Sequence, residues 1–307
     1  MNTSRTREAD ACVSREPIGL DSDRPLLARF YDAVLGGTDN YGVDRSLLTM
    51  LRASVPQVDF VFRSEVQFLA HAVRYIAGER GIEQFVVALP GLLPDRVDQL
   101  HDVARRCQHD ARVWYIDYEP VVLAHLRARL NGVGGFVHVV EADPLDPATV
   151  WHRLAEHPSP PDEEPICLVL GGVLSFHPGS REDAAAVAQL HVAQLPPGSF
   201  IVLTHLLDPE IPELAPMVRR LHDGLDGSLW AGSVATRAQI RAMVAGTTIL
   251  PPGHGQPPDV VPATMWWRNG PPVTYRGAAA TPDPDSGQFV AAVVAAVDQH
   301  ADSAPAG

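Results

Sequence analysis

The stretch EQFVVALPGLLPD, residues 83–95, has the pattern of a buried strand that runs into a turn and then a helix. A nucleotide-binding turn between a strand and a helix usually holds two or three glycines, because bare backbone must approach the ligand closely. Gly91 is the one glycine in this stretch, and leucine and proline residues flank it. The interpretation of this turn decides whether the surrounding fold can bind a nucleotide-like cofactor.

Five apolar runs of strand length follow one another, and segments with helical spacing separate them. Runs that are nearly continuous in apolar residues are typical of parallel strands covered by helices on both faces. The predicted strands are residues 84–89, 112–117, 136–143, 166–174 and 199–206, followed by two more at 247–250 and 263–267. We therefore predict an α/β fold with a doubly wound sheet and an antiparallel edge, whose ligands bind beyond the carboxyl ends of the strands.

The chain divides into four predicted parts. Residues 1–23 are polar and aperiodic, which predicts a flexible tail. Residues 24–82 predict three helices that form an N-terminal cap, and residues 83–275 the α/β domain. Residues 276–307 are rich in alanine and proline and predict a second tail, in which the apolar segment 289–297 is either a helix or a docking segment.

Composition limits the function. The net charge is −13 and all 24 basic residues are arginine. The absence of lysine from the sequence excludes a phosphate-binding P-loop lysine and a Schiff-base lysine. The acidic excess disfavours nucleic acid as a partner, because phosphate binding needs clustered basic residues. A small molecule or a peptide is a better candidate partner, and a small molecule is the expected substrate.

Cysteine usage and hydropathy predict a cytoplasmic protein with no metal site. Cys12, Cys107 and Cys167 are widely spaced and lack the spacing of metal ligands, so we interpret them as free thiols in a reducing compartment. The N-terminal residues lack the apolar region of a secretory signal. No apolar run is long enough to span a membrane. Whether the protein is a monomer or a homodimer is left open.

Two acids at predicted strand ends are candidate ligand contacts. Asp117 ends the second strand, where many nucleotide-binding α/β folds bond the ribose hydroxyls; the alternative is an acid stabilised by the dipole of the following helix. Asp143 ends the third strand and could accept a hydrogen bond from an adenine amino group. It could equally start an ordinary turn, since it precedes a proline.

The turn GGTDNYG, residues 36–42, is the most unusual stretch. The double glycine ends the first cap helix, and Asp39, Asn40 and Tyr41 supply polar groups. The plain interpretation is a helix-loop-helix corner, in which Gly37 is left-handed and Asp39 or Asp44 caps the next helix. The polar residues could instead contact a ligand.

Two histidines are candidate general bases. His177 follows the fourth strand and His205 lies at the end of the fifth, and an unperturbed histidine titrates near pH 7. Either could instead be a polar loop residue. Trp266 and Trp267, followed by Arg268, are predicted to cover the edge of the sheet.

Taken together, these stretches resemble the S-adenosyl methyltransferase family that is abundant in Streptomyces and related actinobacteria. The resemblance covers about residues 24–268 in consistent order. It is carried by RPLLARFYDAVLGGTDNYGVDR, FLAHAVRYIAGERGIEQFVVALPGLLPD, ARVWYIDYEPVVLAHLRARL, EADPLDP, LVLGGVLSFHP and LPPGSFIVLTH. The most specific piece is YDAVLGGTDNYGVDR.

The resemblance implies a class I methyltransferase fold: a Rossmann-like, seven-stranded sheet with S-adenosylmethionine across its strand ends. In that arrangement Asp117 binds the ribose, Tyr118 packs near the adenine, and Ala142 and Asp143 contact the edge of the adenine. Gly91 remains from the glycine-rich turn. The resemblance also places four residues in a cap over the cofactor: Gly36, Gly37, Asp39 and Asn40.

The sequence departs from the family pattern at the first strand. Members usually have an acid there, followed by a Gly-Thr-Gly turn; this chain has Val87 in place of the acid and Leu89 in place of the first glycine. Thr38 stands where a lysine is common. The missing acid removes a partner for the methionine ammonium, and Leu89 and Pro90 add bulk where the backbone meets the cofactor.

Three functions are compatible with this sequence. The first is a methyltransferase that acts on a small molecule in secondary metabolism. The second is a methyltransferase fold recruited to other chemistry, such as a cyclisation or rearrangement in natural-product biosynthesis. The third is a non-catalytic binding or regulatory protein, because a fold does not determine a function.

Overall fold

The structure, a computed structural model, describes residues 23–95, 97–229, 232–266 and 286–298. Its α-helices are α1 (Leu27–Leu35), α2 (Gly42–Ser54), α3 (Val58–Arg80), α4 (Leu100–Cys107), α5 (Pro120–Arg129), α6 (Pro147–Ala155), α7 (Arg181–Val192), α8 (Ala215–Leu225) and α9 (Arg237–Met243). Its strands are β1 (Gln84–Ala88), β2 (Arg112–Asp117), β3 (Val137–Glu141), β4 (Ile166–Leu170), β5 (Phe200–Leu206), β6 (Thr248–Ile249), β7 (Val261–Pro262) and β8 (Val290–Ala296). None of the helices in these residues has both the length and the apolar character needed to cross a membrane.

The strands form one mixed sheet in the order β3-β2-β1-β4-β5-β8-β6, and β7 also pairs with β8. Strands β1 to β5 are parallel to one another, whereas β8 is antiparallel to β5, β6 and β7. The chain order reverses at β1, which lies between β2 and β4. In doubly wound sheets, the crevice beyond such a reversal is where ligands bind.

Alternate residues of each strand face two apolar layers. In β1, Phe85 and Val87 belong to the cluster that includes α3, whereas Val86 and Ala88 belong to the cluster that includes α7 and α9. Because both faces are covered, the strands carry apolar residues at nearly every position, which is why the sequence shows runs rather than alternation.

The three predicted helices of the cap are present. Helix α1 ends at Gly36, whose φ of 76° is left-handed, and α3 ends at Gly81, whose φ is 71°. Glycine adopts this conformation without a steric penalty, so each helix stops there. The prediction had placed Gly37 in the left-handed position; that position belongs to Gly36.

The predicted strand at 263–267 is wrong. Residues Ala263–Met265 form a short 3₁₀ helix. Trp266 is buried and packs edge-to-face against Phe68 and Tyr75 of α3, with ring centroids 5.5 and 5.7 Å away. The tryptophan therefore fixes α3 against the core instead of extending the sheet. Trp267 and Arg268 lie outside the described residues.

The C-terminal segment also differs from the prediction. Residues 276–307 were expected to be a tail, but β8 lies within the sheet and pairs with β5 over seven residues, from Phe200 opposite Ala296 to Leu206 opposite Val290. Four of the seven residues of β8 are alanine, so the strand lacks the bulky alternation by which strands are recognised.

We expect Val293→Ala to lower the free energy of unfolding by about 1–3 kcal/mol, because the side chain is fully buried in β8 and the cavity left behind adds to the lost burial. The matched variant Val297→Ala, one residue beyond the strand and only partly buried, should cost less than about 1 kcal/mol. Urea denaturation of both variants checks this. Equal, negligible effects would mean that the segment is not part of the core.

Candidate functional site

A cavity of about 320 Å³ lies between the cap and the carboxyl ends of the central strands. Strands β1, β2 and β4 contribute Val87, Asp117 and Val169 to its wall, and the turn after β1 contributes residues 89–94. Helices α1 and α3 close it from the cap side. The cavity thus occupies the crevice at the reversal of strand order, where the sequence predicted a ligand.

The turn after β1 keeps a glycine-like backbone although it has lost glycines. Leu89 and Leu93 both have a φ of 49°, and Gly91 has a φ of 72°. A left-handed conformation costs a residue with a side chain roughly 1–2 kcal/mol. The Leu89 N–H donates to the Ile116 carbonyl at 2.9 Å, which ties the turn to β2. The backbone of this turn is therefore left-handed at three positions, while the side chains of Leu89 and Pro90 stand in the cavity wall.

Asp117 is held at the end of β2 with one carboxylate oxygen engaged. Its Oδ1 accepts the N–H groups of Tyr118 and Glu119, each at 2.9 Å. Among the described hydrogen bonds, Oδ2 has no donor. Burial raises the pKa of Asp117 to about 7, against which the two backbone donors act. The site thus holds a buried carboxylate in a cavity wall, ready to accept hydrogen bonds from a ligand.

Tyr118 and Asp143 lie beside this carboxylate. Tyr118 lines the cavity and its side chain is half exposed, so part of the ring is accessible to a ligand. Burial raises the pKa of Tyr118, and the charges of Glu119, Asp143 and Asp117 raise it further. The Ala142 N–H donates to the Asp117 carbonyl at 3.0 Å, which brings the ends of β2 and β3 together.

Asp143 itself adopts the turn that the sequence offered as its alternative role. It is exposed, its Oδ1 accepts the Leu145 N–H at 2.8 Å, and neither it nor Ala142 lines the cavity. Asp143 is close enough to Tyr118 for its charge to act on the phenol, whereas Ala142 is buried. A ligand that stacked on Tyr118 would approach Asp143.

The turn of residues 36–42 acts on the cavity through Asp32, a buried residue of α1 that lines the wall. Its Oδ2 accepts the Asn40 side-chain amide at 2.7 Å and the Asp39 N–H at 2.9 Å. A Cβ on Gly37 would stand 1.9 Å from Oδ1 of Asp32, so only glycine fits there. Four residues of the turn, namely Gly36, Gly37, Asp39 and Asn40, do not themselves line the cavity. They hold a carboxylate that does.

The same turn starts α2 through Asp44. This buried carboxylate accepts the Tyr41 N–H at 2.8 Å and the Leu26 N–H at 3.0 Å, and pairs with Arg29 at 2.9 Å. Of the two predicted capping acids, Asp44 performs that role. Its bonds fasten the start of α2 to α1 and to Leu26, the residue just before α1.

A second carboxylate enters the wall from α3. Glu65 is buried; its Oε2 accepts the Tyr31 hydroxyl and its Oε1 accepts the Thr204 hydroxyl, each at 2.5 Å. Thr204 in turn accepts the Gly172 N–H at 2.7 Å. This chain of bonds joins α1 and α3 to the ends of β4 and β5. Burial raises the pKa of Glu65 above its ordinary value.

The structure does not bring either candidate base to the cavity. His205 is fully buried in β5, contacts the guanidinium of Arg181 at 3.0 Å, and has a pKa lowered to about 4, chiefly by burial. His177 accepts the Gly179 N–H at 3.0 Å, and neither histidine lines the cavity. Both positions belong to the packing around Arg181. Their proximity to strand ends in sequence was therefore misleading.

The cavity is acidic. Its described lining contains five carboxylates and no arginine or histidine: Asp32, Glu65, Asp98, Asp117 and Glu119. The rest of the wall is mostly apolar. No group of three or more histidine, cysteine or acidic residues in the described part of the chain is arranged to hold a metal ion.

Sequence reasoning missed Tyr31, Asp32 and Glu65. Tyr31 and Asp32 open the YDAVLGG stretch that was singled out for its glycines, so the signal was a phenol and an acid just ahead of a glycine pair. Glu65 gave no local signal beyond an acid in an apolar stretch of α3. Its contact with Thr204 spans 139 residues of the chain.

We expect Gly37→Ala to destabilise the protein by about 1–3 kcal/mol, because the added Cβ overlaps the Asp32 carboxylate and both cannot keep their places. The control Gly42→Ala meets only Arg45, at 3.9 Å, in the first turn of α2, and should leave stability within about 1 kcal/mol. Urea denaturation compares the two. Similar costs for both variants would contradict the role given to Gly37.

Comparisons with known proteins agree with this geometry. The model of the family described as S-adenosyl methyltransferase matches residues 14–296. A candidate methyltransferase from Thermobifida fusca YX has 29% identity and a TM-score of 0.75, over 93% of this chain and 100% of that chain. A DUF574 family protein from Streptomyces avermitilis has 24% identity and a TM-score of 0.75, over 90% of this chain and 98% of that one; it shows the fold alone. No curated protein matches the chain.

The expected class I methyltransferase fold is confirmed, with eight strands described where seven were predicted. The family's activity is methyl transfer from S-adenosylmethionine, which makes this compound the cofactor and the protein an enzyme of that class. The cavity lies at the strand ends, where doubly wound sheets bind ligands of this kind. The chain belongs to the S-adenosyl methyltransferase family.

Proposed function

We propose that the protein transfers a methyl group from S-adenosylmethionine to a small-molecule nucleophile, in the cytoplasm and as part of secondary metabolism. The observation that carries this proposal is Asp117. It ends β2 beside the reversal of strand order, with Oδ1 fixed by two N–H groups and Oδ2 available to accept a pair of ribose hydroxyls.

The residues of the cavity fit the cofactor at its nucleoside end. Tyr118 offers a half-exposed ring for the adenine, and Asp143, near Tyr118 but outside the cavity lining, could accept a hydrogen bond from the adenine amino group. Gly91, with nothing within 4 Å of where a Cβ would stand, leaves room for the ligand beside the turn. The acidic lining suits a sulfonium and an ammonium better than an anion.

The lining also limits the methyl acceptor. Leu69, Val169, Phe176 and Leu229 make its inner wall apolar, and no basic side chain among the described lining could pair with a carboxylate or phosphate. We therefore propose an acceptor with an apolar body and a neutral nucleophile. When bound, S-adenosylmethionine supplies an electrophilic methyl group. The protein's contribution is then mainly to hold the two reactants in line and exclude water.

One observation favours the second candidate function, a methyltransferase fold used for other chemistry. The side chains of Leu89 and Pro90 occupy the wall where a glycine turn would present bare backbone. If these side chains block the cofactor, the acidic and apolar cavity would bind another cationic ligand. Measurement of cofactor binding separates the two candidates.

We expect isothermal titration calorimetry to detect binding of S-adenosylmethionine and S-adenosylhomocysteine to the protein. Asp117→Asn should weaken both by roughly tenfold to hundredfold, since it replaces a charge-assisted hydrogen bond. The amide oxygen introduced by this variant keeps an acceptor for the two backbone N–H groups. Absence of binding at millimolar cofactor would overturn the proposal.

The same variant has an opposite effect on stability without ligand. The folded-state pKa of Asp117, about 7, is above its ordinary 3.8, so its contribution to stability is full below pH 3.8 and is lost as the pH rises through 7. Asp117→Asn should therefore raise the free energy of unfolding at pH 8, by up to about 4 kcal/mol, and change it little at pH 4. Urea denaturation at the two pH values measures this. An unchanged or lower stability at pH 8 would show that Asp117 is not desolvated as described.

We expect the double variant Val87→Asp, Leu89→Gly to bind S-adenosylhomocysteine more tightly than the unchanged protein, by about tenfold, because it restores the acid and removes side-chain bulk from the turn. Glycine also suits the φ of 49° at position 89. Calorimetry measures the affinity, and thermal unfolding confirms that the variant is folded. Unchanged affinity would show that the altered turn does not limit binding.

A further inference from the structure

Glu65 is a buried carboxylate whose described partners are all neutral. The residue is 5% exposed, and its hydrogen bonds come from the hydroxyls of Tyr31 and Thr204. Burial of a charge without an opposite charge costs free energy, which hydrogen bonds offset only in part. Since Glu65 lines the cavity, a positively charged group of a ligand could supply the missing compensation.

The position of Glu65 matches one end of an extended ligand. A Cβ on Gly172, just beyond β4, would lie 3.1 Å from Oε1 of Glu65, and Thr204 belongs to β5. Asp117 marks the end of β2, two strands from β4, or roughly 10 Å at the usual strand spacing. A ligand whose ribose binds Asp117 and which crosses the end of β1 therefore ends beneath Glu65.

Asp32, the other cap carboxylate in the wall, lies toward the opposite end. Both donors to its Oδ2 come from the turn of residues 36–42. Burial raises the pKa of Asp32, and the hydrogen bonds from Asn40 and Asp39 act against this. The carboxylate of Asp39, the residue whose N–H Asp32 accepts, lies 3.9 Å from Nε2 of His125 on α5, the helix that follows β2. Asp32 is therefore on the nucleoside side of the cavity. Of the two cap carboxylates that line the cavity, Glu65 is the one near β4 and β5.

We infer that Glu65 binds the ammonium group of the cofactor's amino-acid moiety, in place of the acid that the family pattern has at position 87. The inference rests on the proposed function. Val87 lines the same cavity and faces the apolar layer that contains α3. Glu65 of α3 thus supplies the negative charge that the family pattern has at position 87, at the end of β1. The cap is then part of the cofactor site.

The test compares two ligands that differ in the amino-acid moiety: S-adenosylhomocysteine, which carries the ammonium, and 5′-methylthioadenosine, which does not. We expect Glu65→Gln to weaken S-adenosylhomocysteine by roughly tenfold to hundredfold in calorimetry and to leave 5′-methylthioadenosine within about twofold. S-adenosylhomocysteine also carries a carboxylate, and removal of the negative charge of Glu65 would favour binding of that carboxylate. A weaker affinity of the variant therefore identifies the ammonium as the group that Glu65 binds.

Two controls make the comparison specific. Glu79→Gln removes the same charge from the exposed end of α3, outside the cavity lining, and should change neither affinity. Asp117→Asn should weaken both ligands by a similar factor, since both contain the ribose. Adding Val87→Asp to Glu65→Gln should restore most of the lost affinity for S-adenosylhomocysteine. The gain in affinity from Val87→Asp should be larger in the Glu65→Gln variant than in the unchanged protein.

The outcomes separate this inference from the proposed function. If the unchanged protein binds neither ligand, the proposed function fails. If it binds both and Glu65→Gln weakens both equally, Glu65 has only a structural role and the inference is overturned. It is equally overturned if Glu65→Gln weakens neither, or if Val87→Asp gives no rescue while 5′-methylthioadenosine still binds.

Discussion

The Glu65 carboxylate is the interaction on which the arrangement of cap and sheet depends. It accepts a hydroxyl from α1 and another from β5, so one buried side chain connects the cap helices to the strand ends. Removal of either donor would leave a buried charge less satisfied, which is more costly than the loss of a surface bond. Gly172 allows this close approach, since a side chain there would press on the carboxylate.

The cap and the sheet contribute different parts of the candidate site. The sheet supplies Asp117 at the end of β2 and the turn after β1, as the predicted fold required. The cap supplies Asp32 and Glu65, with Tyr31 and the turn of residues 36–42 holding them in place. The unusual GGTDNYG stretch is therefore explained by the buried carboxylate of Asp32, which leaves no room for a side chain at Gly37 and accepts a hydrogen bond from the amide of Asn40. It positions a wall of the cavity without lining it.

Sequence patterns predicted the five parallel strands, the three cap helices and the site of Asp117, because each depends on local periodicity or on position at a strand end. They failed where long-range packing decides. The alanine-rich β8 was not recognised because it is buried by partners far along the chain. His205 was predicted as a candidate base, but its position at a strand end does not reveal that the side chain is buried against Arg181, outside the cavity lining. Glu65 was missed because its partners are distant in sequence.

The turn after β1 combines left-handed backbone with bulky side chains. Leu89 has a left-handed conformation that glycine would adopt without penalty, so the turn presents leucine and proline side chains where glycine would present bare backbone. The cofactor is then expected to bind across this turn, between Asp117 and Glu65. A crystal structure of the protein with S-adenosylhomocysteine tests this directly. We expect the ribose hydroxyls on Asp117 and the ammonium within hydrogen-bonding distance of Glu65; an ammonium bound elsewhere, or a ligand outside the cavity, would contradict it.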